Sequence, residues 1–328
     1  MSLAAALEVS ARLYWRIQHG VPLLEPSALR WVFYPNVDRI RSAPPQADDG
    51  VHDVLVLGGS VMDETRDRFR EVEEELGGAV RFHVAAKVGH TTLDSRRKFE
   101  WLADLPFDEV LVYHGINDCK YNNVPPERFD ADYSGYVFYR LTGELVNSPP
   151  QLSVAPFTFR YIRAKGGLRG QDSVDAPTRV ARHNWFRFGE DIKSRETFRA
   201  NLAAVLEGAR SRGLPVRLLS FVIYIPEGYD EQTFLDTGYD YAEPRMRAGV
   251  WGQANHVSAC VAEHNRILHA LAAEHDHAAL LDMQEAVPAA GWAMNDPCHF
   301  SEPGEELFFA RLADAYRDSA AGARALAR

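Results

Sequence analysis

The stretch VLVLGGSVMDE, residues 54–64, decides the reading of this chain. Four branched apolar residues, too few for a helix, stop at Gly58-Gly59 and deliver Ser60. A short β-branched run closed by glycines is the pattern of a buried strand, and the charged segment after it (roughly 63–76) reads as a helix. Strand, tight turn and helix in that order suggest a parallel α/β unit. Ser60 then sits where a strand ends and a helix begins.

Outward from that stretch the alternation continues. VRFHVAA (80–86), EVLVYHG (109–115), PVRLLSFVIYI (215–225) and AALLDM (278–283) read as four more strands. Helical patterns fall at 92–104, at 194–213 and from Val257 to His275, and a last helix follows Ser301-Glu-Pro-Gly304. In the second of these Phe198, Leu202, Val205, Leu206 and Ala209 share one face, and Gly213 stops it. Alternation of this kind predicts an α/β fold: a five-stranded parallel sheet between two helical layers.

Two segments break the rhythm. Residues 121–193 and 226–250 are rich in aromatics, proline and glycine with weak periodicity, and read as lid or substrate-binding insertions. Residues 1–50 read as an N-terminal extension packed on the core, and 51–328 as one catalytic-type domain.

The totals narrow the function classes. Of 328 residues, 46% are apolar and 25% charged, a globular composition. With 36 Lys and Arg against 46 Asp and Glu the formal charge is −10, which argues against nucleic acid and against an anionic membrane surface as partners. No run approaches the ~18 apolar residues of a membrane span, and the first twenty residues lack the layout of a signal peptide. Cys119, Cys260 and Cys298 stand far apart and suggest no disulfide framework, so a reduced, cytoplasmic protein is the expectation. The sequence leaves the oligomeric state open.

Open α/β sheets bind ligands beyond the carboxyl ends of their strands. The polar residues falling there are Ser60, then Gly89 in KVGHTT, then Asn117 and Asp118 in HGINDC, then Asp296 and His299 in NDPCHFSEPG. Together they form an acyl-transfer kit. A serine hydroxyl needs a base to become a nucleophile, and histidine is suited to that near neutral pH. Asp296, three residues before His299, is placed to orient the imidazole. The Ser60 and Gly89 N–H groups and the Asn117 amide are candidate donors to an oxyanion. Asp118 is expected to support the loop. His90 and His114 lie near the crevice and are candidates for substrate contact or for structural support.

Other kits are missing. Met62 stands where a Gly-x-Ser-x-Gly elbow needs its second glycine. Neither a G-x-G-x-x-G motif nor a P-loop follows the first strand. The spacing of Cys119, Cys298 and His299 fits no zinc pattern, and no metal is expected.

These blocks, in this order, resemble the SGNH (GDSL-type) hydrolases over roughly residues 51–320. Gly58-Gly59-Ser60 stands where that family has its nucleophile, Gly89 where it has its oxyanion glycine. Gly115-Ile116-Asn117-Asp118 fits its Gly-x-Asn-Asp block, and Asp296-Pro297-Cys298-His299 its Asp-x-x-His block. The resemblance implies a flavodoxin-like sheet, an acyl-enzyme on Ser60, no metal or organic cofactor, and an ester substrate on a small molecule, sugar or lipid. One residue departs from the pattern: the aspartate of the GDSL signature is Gly59 here. Transfer of the acyl group to an alcohol or amine, and a silent binding module on the same fold, are the alternatives.

Overall fold

In the computed structural model of the protein, residues 2–47, 49–147, 150, 152–167 and 183–326 are described. The chain opens with helices α1 (Leu3–His19) and α2 (Pro35–Ser42). Next come β1 (His52–Gly58), the one-turn α3 (Ser60–Glu64), α4 (Arg66–Glu75), β2 (Val80–Val84), α5 (Thr92–Trp101), β3 (Glu109–Tyr113) and the one-turn α6 (Ile116–Cys119). Helices α7 (Val137–Asn147), α8 (Ala155–Gly167) and α9 (Ser194–Arg210) precede β4 (Val216–Leu219). The chain then runs through α10 (Ala254–Glu274), β5 (Ala278–Leu281) and α11 (Glu302–Leu326).

All four pairings are parallel and the strand order is β2-β1-β3-β4-β5, the doubly wound order in which β1 and β3 flank the switch point. The alternation in β1 explains the two layers. Leu55 and Leu57 join one apolar core with α5, α9, α7 and the N-terminal helices. Val54 and Val56 join the other, with α4, α11 and the first half of α10. Buried on both faces, β1 is apolar from Val54 to Leu57.

Two expectations need correction. The fourth strand ends at Leu219 and does not run on to Ile225. Beyond it the backbone donors turn to side chains: Phe221 N–H donates to Asn265 Oδ1 at 2.7 Å and Val222 N–H to the Tyr113 hydroxyl at 3.1 Å. The 121–193 segment is also more regular than its weak periodicity suggests. It holds α7 and α8, whose Phe138, Tyr139, Leu141, Phe157 and Tyr161 are buried. Aromatic rings cover enough apolar area per residue to pack a helix without a clean 3.6-residue pattern. Residues 168–182 of that segment lie outside the described residues.

The N-terminal residues pack against α8, α5 and the segment after β2. Trp15 donates to Thr158 Oγ1 at 2.7 Å and its ring lies against Phe157 and Tyr161. Tyr34 donates to Asp94 at 2.8 Å, and the Asn36 amide to the Ala86 carbonyl.

Candidate active site

Ser60 is the first residue of α3, directly beyond β1, and is 6% exposed. Its Oγ lies 2.7 Å from His299 Nε2. On the far side of that ring, Nδ1 lies 2.7 Å from Asp296 Oδ2 and 2.9 Å from Oδ1. Asp296 is fully buried and is held by its own loop, because Oδ1 accepts the N–H groups of Cys298 and His299 at 3.0 Å. A carboxylate pinned by two backbone donors cannot swing, and it fixes the imidazole with Nε2 towards the serine.

The charge on His299 follows from these neighbours. Burial pulls its pKa down, but the hydrogen bond and charge of Asp296, with Glu64 adding to them, outweigh that and raise it above its ordinary value. Glu64 Oε1 stands 3.9 Å from Nε2, at the end of α3.

The oxyanion candidates meet at the same place. Ser60, Gly89, Asn117, Lys120, Met246, Val250 and Trp251 line one cavity of about 20 Å³, roughly a single water. Gly89 has φ +73°, a left-handed conformation that glycine adopts without strain. Ser60 opens a helix, and first-turn N–H groups have no partner within it. Asn117 is clamped twice: its Nδ2 donates to the His90 carbonyl at 3.0 Å, and its Oδ1 accepts the Trp251 indole N–H at 3.1 Å. An amide carries two hydrogens, so the second is left for the cavity.

Gly59 has a positive reason to be glycine. A Cβ there would stand 2.6 Å from Asn117 Nδ2, so only a bare backbone lets that amide lie beside the serine.

Beneath this turn lies a dense polar layer. Asp118, fully buried, accepts Thr92 Oγ1 at 2.7 Å, the Tyr133 hydroxyl at 2.8 Å and the Thr92 N–H at 3.1 Å. Burial pushes its carboxyl up to about 6, against the pull of those bonds. Asp94, also buried, accepts from Tyr139, Tyr34 and the Thr91 N–H. Burial would raise it, but the charges of His90, Arg97 and Lys98 bring it down to about 2.

The two further histidines are both buried. The His90 ring is fully buried against Tyr34 and Phe138, and only its carbonyl serves the site. His114 is hydrogen-bonded through Nε2 to Ser95 Oγ at 2.6 Å, and burial pushes it down to about 3. Neither residue lines the cavity that Ser60, Gly89 and Asn117 share, but His114 lines a second one of about 10 Å³ with Ser60 and Asn117.

The cysteines also differ from expectation. Cys119 and Cys260 form a disulfide, 141 residues apart in sequence and 5.9 Å between Cα atoms. The turn after β3 and helix α10 bring them together, which spacing along the chain could not reveal. His264, one helical turn beyond Cys260, lies 2.7 Å from the Gly115 carbonyl through Nδ1. Cys298 remains a free, buried thiol. Among the described residues, two groups have donor atoms close enough to share a metal: Asp296-Cys298-His299 and Cys119-Cys260-His264. In the first, the acid and imidazole are already bonded to each other, and in the second the two sulfurs are.

Trp251 and Glu64 are the site residues that sequence reasoning missed. Trp251 reaches Asn117 from 134 positions away, across a segment without periodicity, so no local signal marks it. A wider groove of about 890 Å³ adjoins this wall, bordered by Phe186, Arg187, Tyr229, Gly252, Gln253 and Asn255.

Neither a protein-family profile nor a curated protein sequence matches the chain. Similar solved structures include a GDSL-like lipase from Bacteroides thetaiotaomicron, at 15% identity over 88% of this chain and 99% of that one, with a TM-score of 0.49. A lipase from a goat rumen metagenome shares 13% identity over 80% of this chain and 96% of that one, with a TM-score of 0.40. A salicylyl-acyltransferase from a tetracycline biosynthetic pathway shares 13% identity over 84% of this chain and 56% of that one, with a TM-score of 0.37. Likenesses this distant assign no role to any residue.

Proposed function

We propose that the protein is a serine hydrolase of the SGNH type that cleaves a carboxylic ester through an acyl-enzyme on Ser60. The observation that carries this reading is the continuous chain of bonds from Ser60 Oγ through the His299 ring to Asp296. Three oxyanion donor candidates border the same small cavity.

In this reaction Ser60 Oγ attacks the ester carbonyl while its proton passes to His299 Nε2. The Nδ1–H stays with Asp296, which stabilises the imidazolium. The tetrahedral oxyanion accepts from the Ser60 and Gly89 N–H groups and from Asn117 Nδ2. Collapse breaks the bond to the leaving oxygen, which takes the proton from His299. Water then attacks the acyl carbon with His299 again as base; the second collapse breaks the bond to Ser60 Oγ, which takes the proton from His299, and the acid departs. Each oxyanion donor is worth about 10²–10³ in rate.

One observation favours a second reading, transfer of the acyl group to an alcohol or amine. Met246, Val250 and Trp251 wall the nucleophile so closely that Ser60 is 6% exposed, and a site that excludes bulk water favours another acceptor. The partition of product between free acid and acylated acceptor separates the two.

The deciding experiment is covalent labelling with a fluorescent fluorophosphonate. Labelling of the wild type and not of Ser60→Ala supports the nucleophile. Equal labelling of both, or ester hydrolysis by Ser60→Ala at the wild-type rate, rules it out.

A further inference from the structure

The apolar surface of this molecule is unevenly distributed. Among the described residues, ten of the thirteen exposed large apolar side chains lie in residues 3–24 and 152–162. They include Leu7 at 56%, Ile17 at 74%, Leu24 at 89% and Phe159 at 68% exposed. The two segments are packed together. Glu8 accepts Ser153 Oγ and the N–H groups of Val154 and Ala155, and Arg12 donates to the Leu152 carbonyl.

Helical geometry makes one stripe of α1 wholly uncharged. At about 100° per residue, the buried Ala11 and Trp15 mark the inner side. Leu3, Ala6, Leu7, Ser10, Leu13, Tyr14 and Ile17 fall on one arc that runs from beside this inner side round to its far side, with no Asp, Glu, Lys or Arg among them; Ala6 and Tyr14 are half-buried and the other five are exposed. A helix face without charge would ordinarily be covered.

The exposed charges at its margin are Arg16 and Arg163, with one acid, Glu25, beyond Leu24. Glu8, the sole acid of α1, is consumed by the bonds just named. Glu144 is paired with Arg160. The chain's total of −10 does not govern this margin, because fields at a surface are screened within about 8–10 Å.

We infer that the outer faces of α1 and α8 form a docking surface for an anionic lipid bilayer, with the apolar stripe seated at the headgroup boundary and Arg16 and Arg163 over acidic headgroups. An uncharged stripe flanked by arginines has the chemistry of an interfacial helix. Among the described residues no helix is long and apolar enough to cross a membrane, so this contact is peripheral.

The test is co-sedimentation of the whole protein with sucrose-loaded vesicles of phosphatidylcholine containing 30 mol% phosphatidylglycerol, against pure phosphatidylcholine. The expected result is binding to the acidic vesicles that weakens with salt. Leu7→Glu with Ile17→Glu should lower partitioning at least about tenfold, and Arg16→Glu with Arg163→Glu by a similar factor. Thermal midpoints within a few degrees of wild type would exclude misfolding, and a second pair, Leu3→Glu with Leu13→Glu, replaces any that fails to fold. Absence of vesicle binding overturns the inference. So does a dimer in light scattering that Leu7→Glu with Ile17→Glu dissolves while no form binds vesicles.

Discussion

The two turns that meet at Ser60 are built in opposite ways. In the Asp296–His299 loop the parts hold one another: one carboxylate takes the imidazole and two backbone N–H groups within four residues of chain. The Gly115–Cys119 turn is held almost wholly from outside. Trp251 and the His90 carbonyl clamp Asn117, Thr92 and Tyr133 hold Asp118, His264 meets the Gly115 carbonyl, and Cys260 is bonded to Cys119. The proposed base is therefore aligned locally. The proposed oxyanion donor is aligned by the tertiary fold.

Substitutions can break this comparison at either end. Ser60→Ala or His299→Ala should lower kcat/KM on a short acyl ester by at least about 10⁴ while the thermal midpoint stays near wild type. Asn117→Ala should cost about 10²–10³ in kcat with a smaller change in KM. The sharpest test of long-range alignment is Trp251→Phe, which keeps an aromatic side chain but removes the indole N–H along with one of its two fused rings. A loss of roughly tenfold in kcat at nearly constant KM is expected, about one hydrogen bond's worth. Wild-type kinetics in that variant would show that Asn117 needs no distant support.

Stability should separate the turns too. Asp118→Ala strands three buried donors and should destabilise the protein by about 1–3 kcal/mol or more in denaturant titration, with labelling at Ser60 retained in the folded fraction.

The smallest effect concerns pH. His299 must be neutral to accept the Ser60 proton, so kcat/KM should fall as pH drops through its raised pKa, giving an acid limb centred above the ordinary value. Glu64→Gln removes one of the raising charges and should move that limb to lower pH by a fraction of a unit, read from a pH–rate profile. The sign for folding is the reverse. A histidine with a raised pKa adds stability that is full below its unfolded pKa and fades as pH rises through the folded one.

Much of this was legible before any coordinates. Runs such as Val54–Leu57, closed by glycine, mark strands because a doubly covered parallel sheet demands apolar residues on both faces. Ser60, Gly89, Asn117, Asp296 and His299 were legible because each follows directly on a strand or sits in a short motif. The histidines were less so: proximity in sequence put His90 and His114 near the crevice, but not which way their rings turn. The strand from 215 was read too long because FVIYI is equally apolar in a strand or in a loop pinned by Asn265 and Tyr113. The aromatic insertion hid two helices for the same reason, since ring packing leaves no period.

The sequence by itself determined the parallel α/β plan and the Asp-x-x-His unit, because those depend on periodicity and on contacts within one turn. Only the tertiary structure decided that Trp251 orients Asn117, that Gly59 makes room for it, and that Cys119 meets Cys260. Each of those contacts joins residues that no local pattern links, and their geometry exists only once the sheet has closed its two layers.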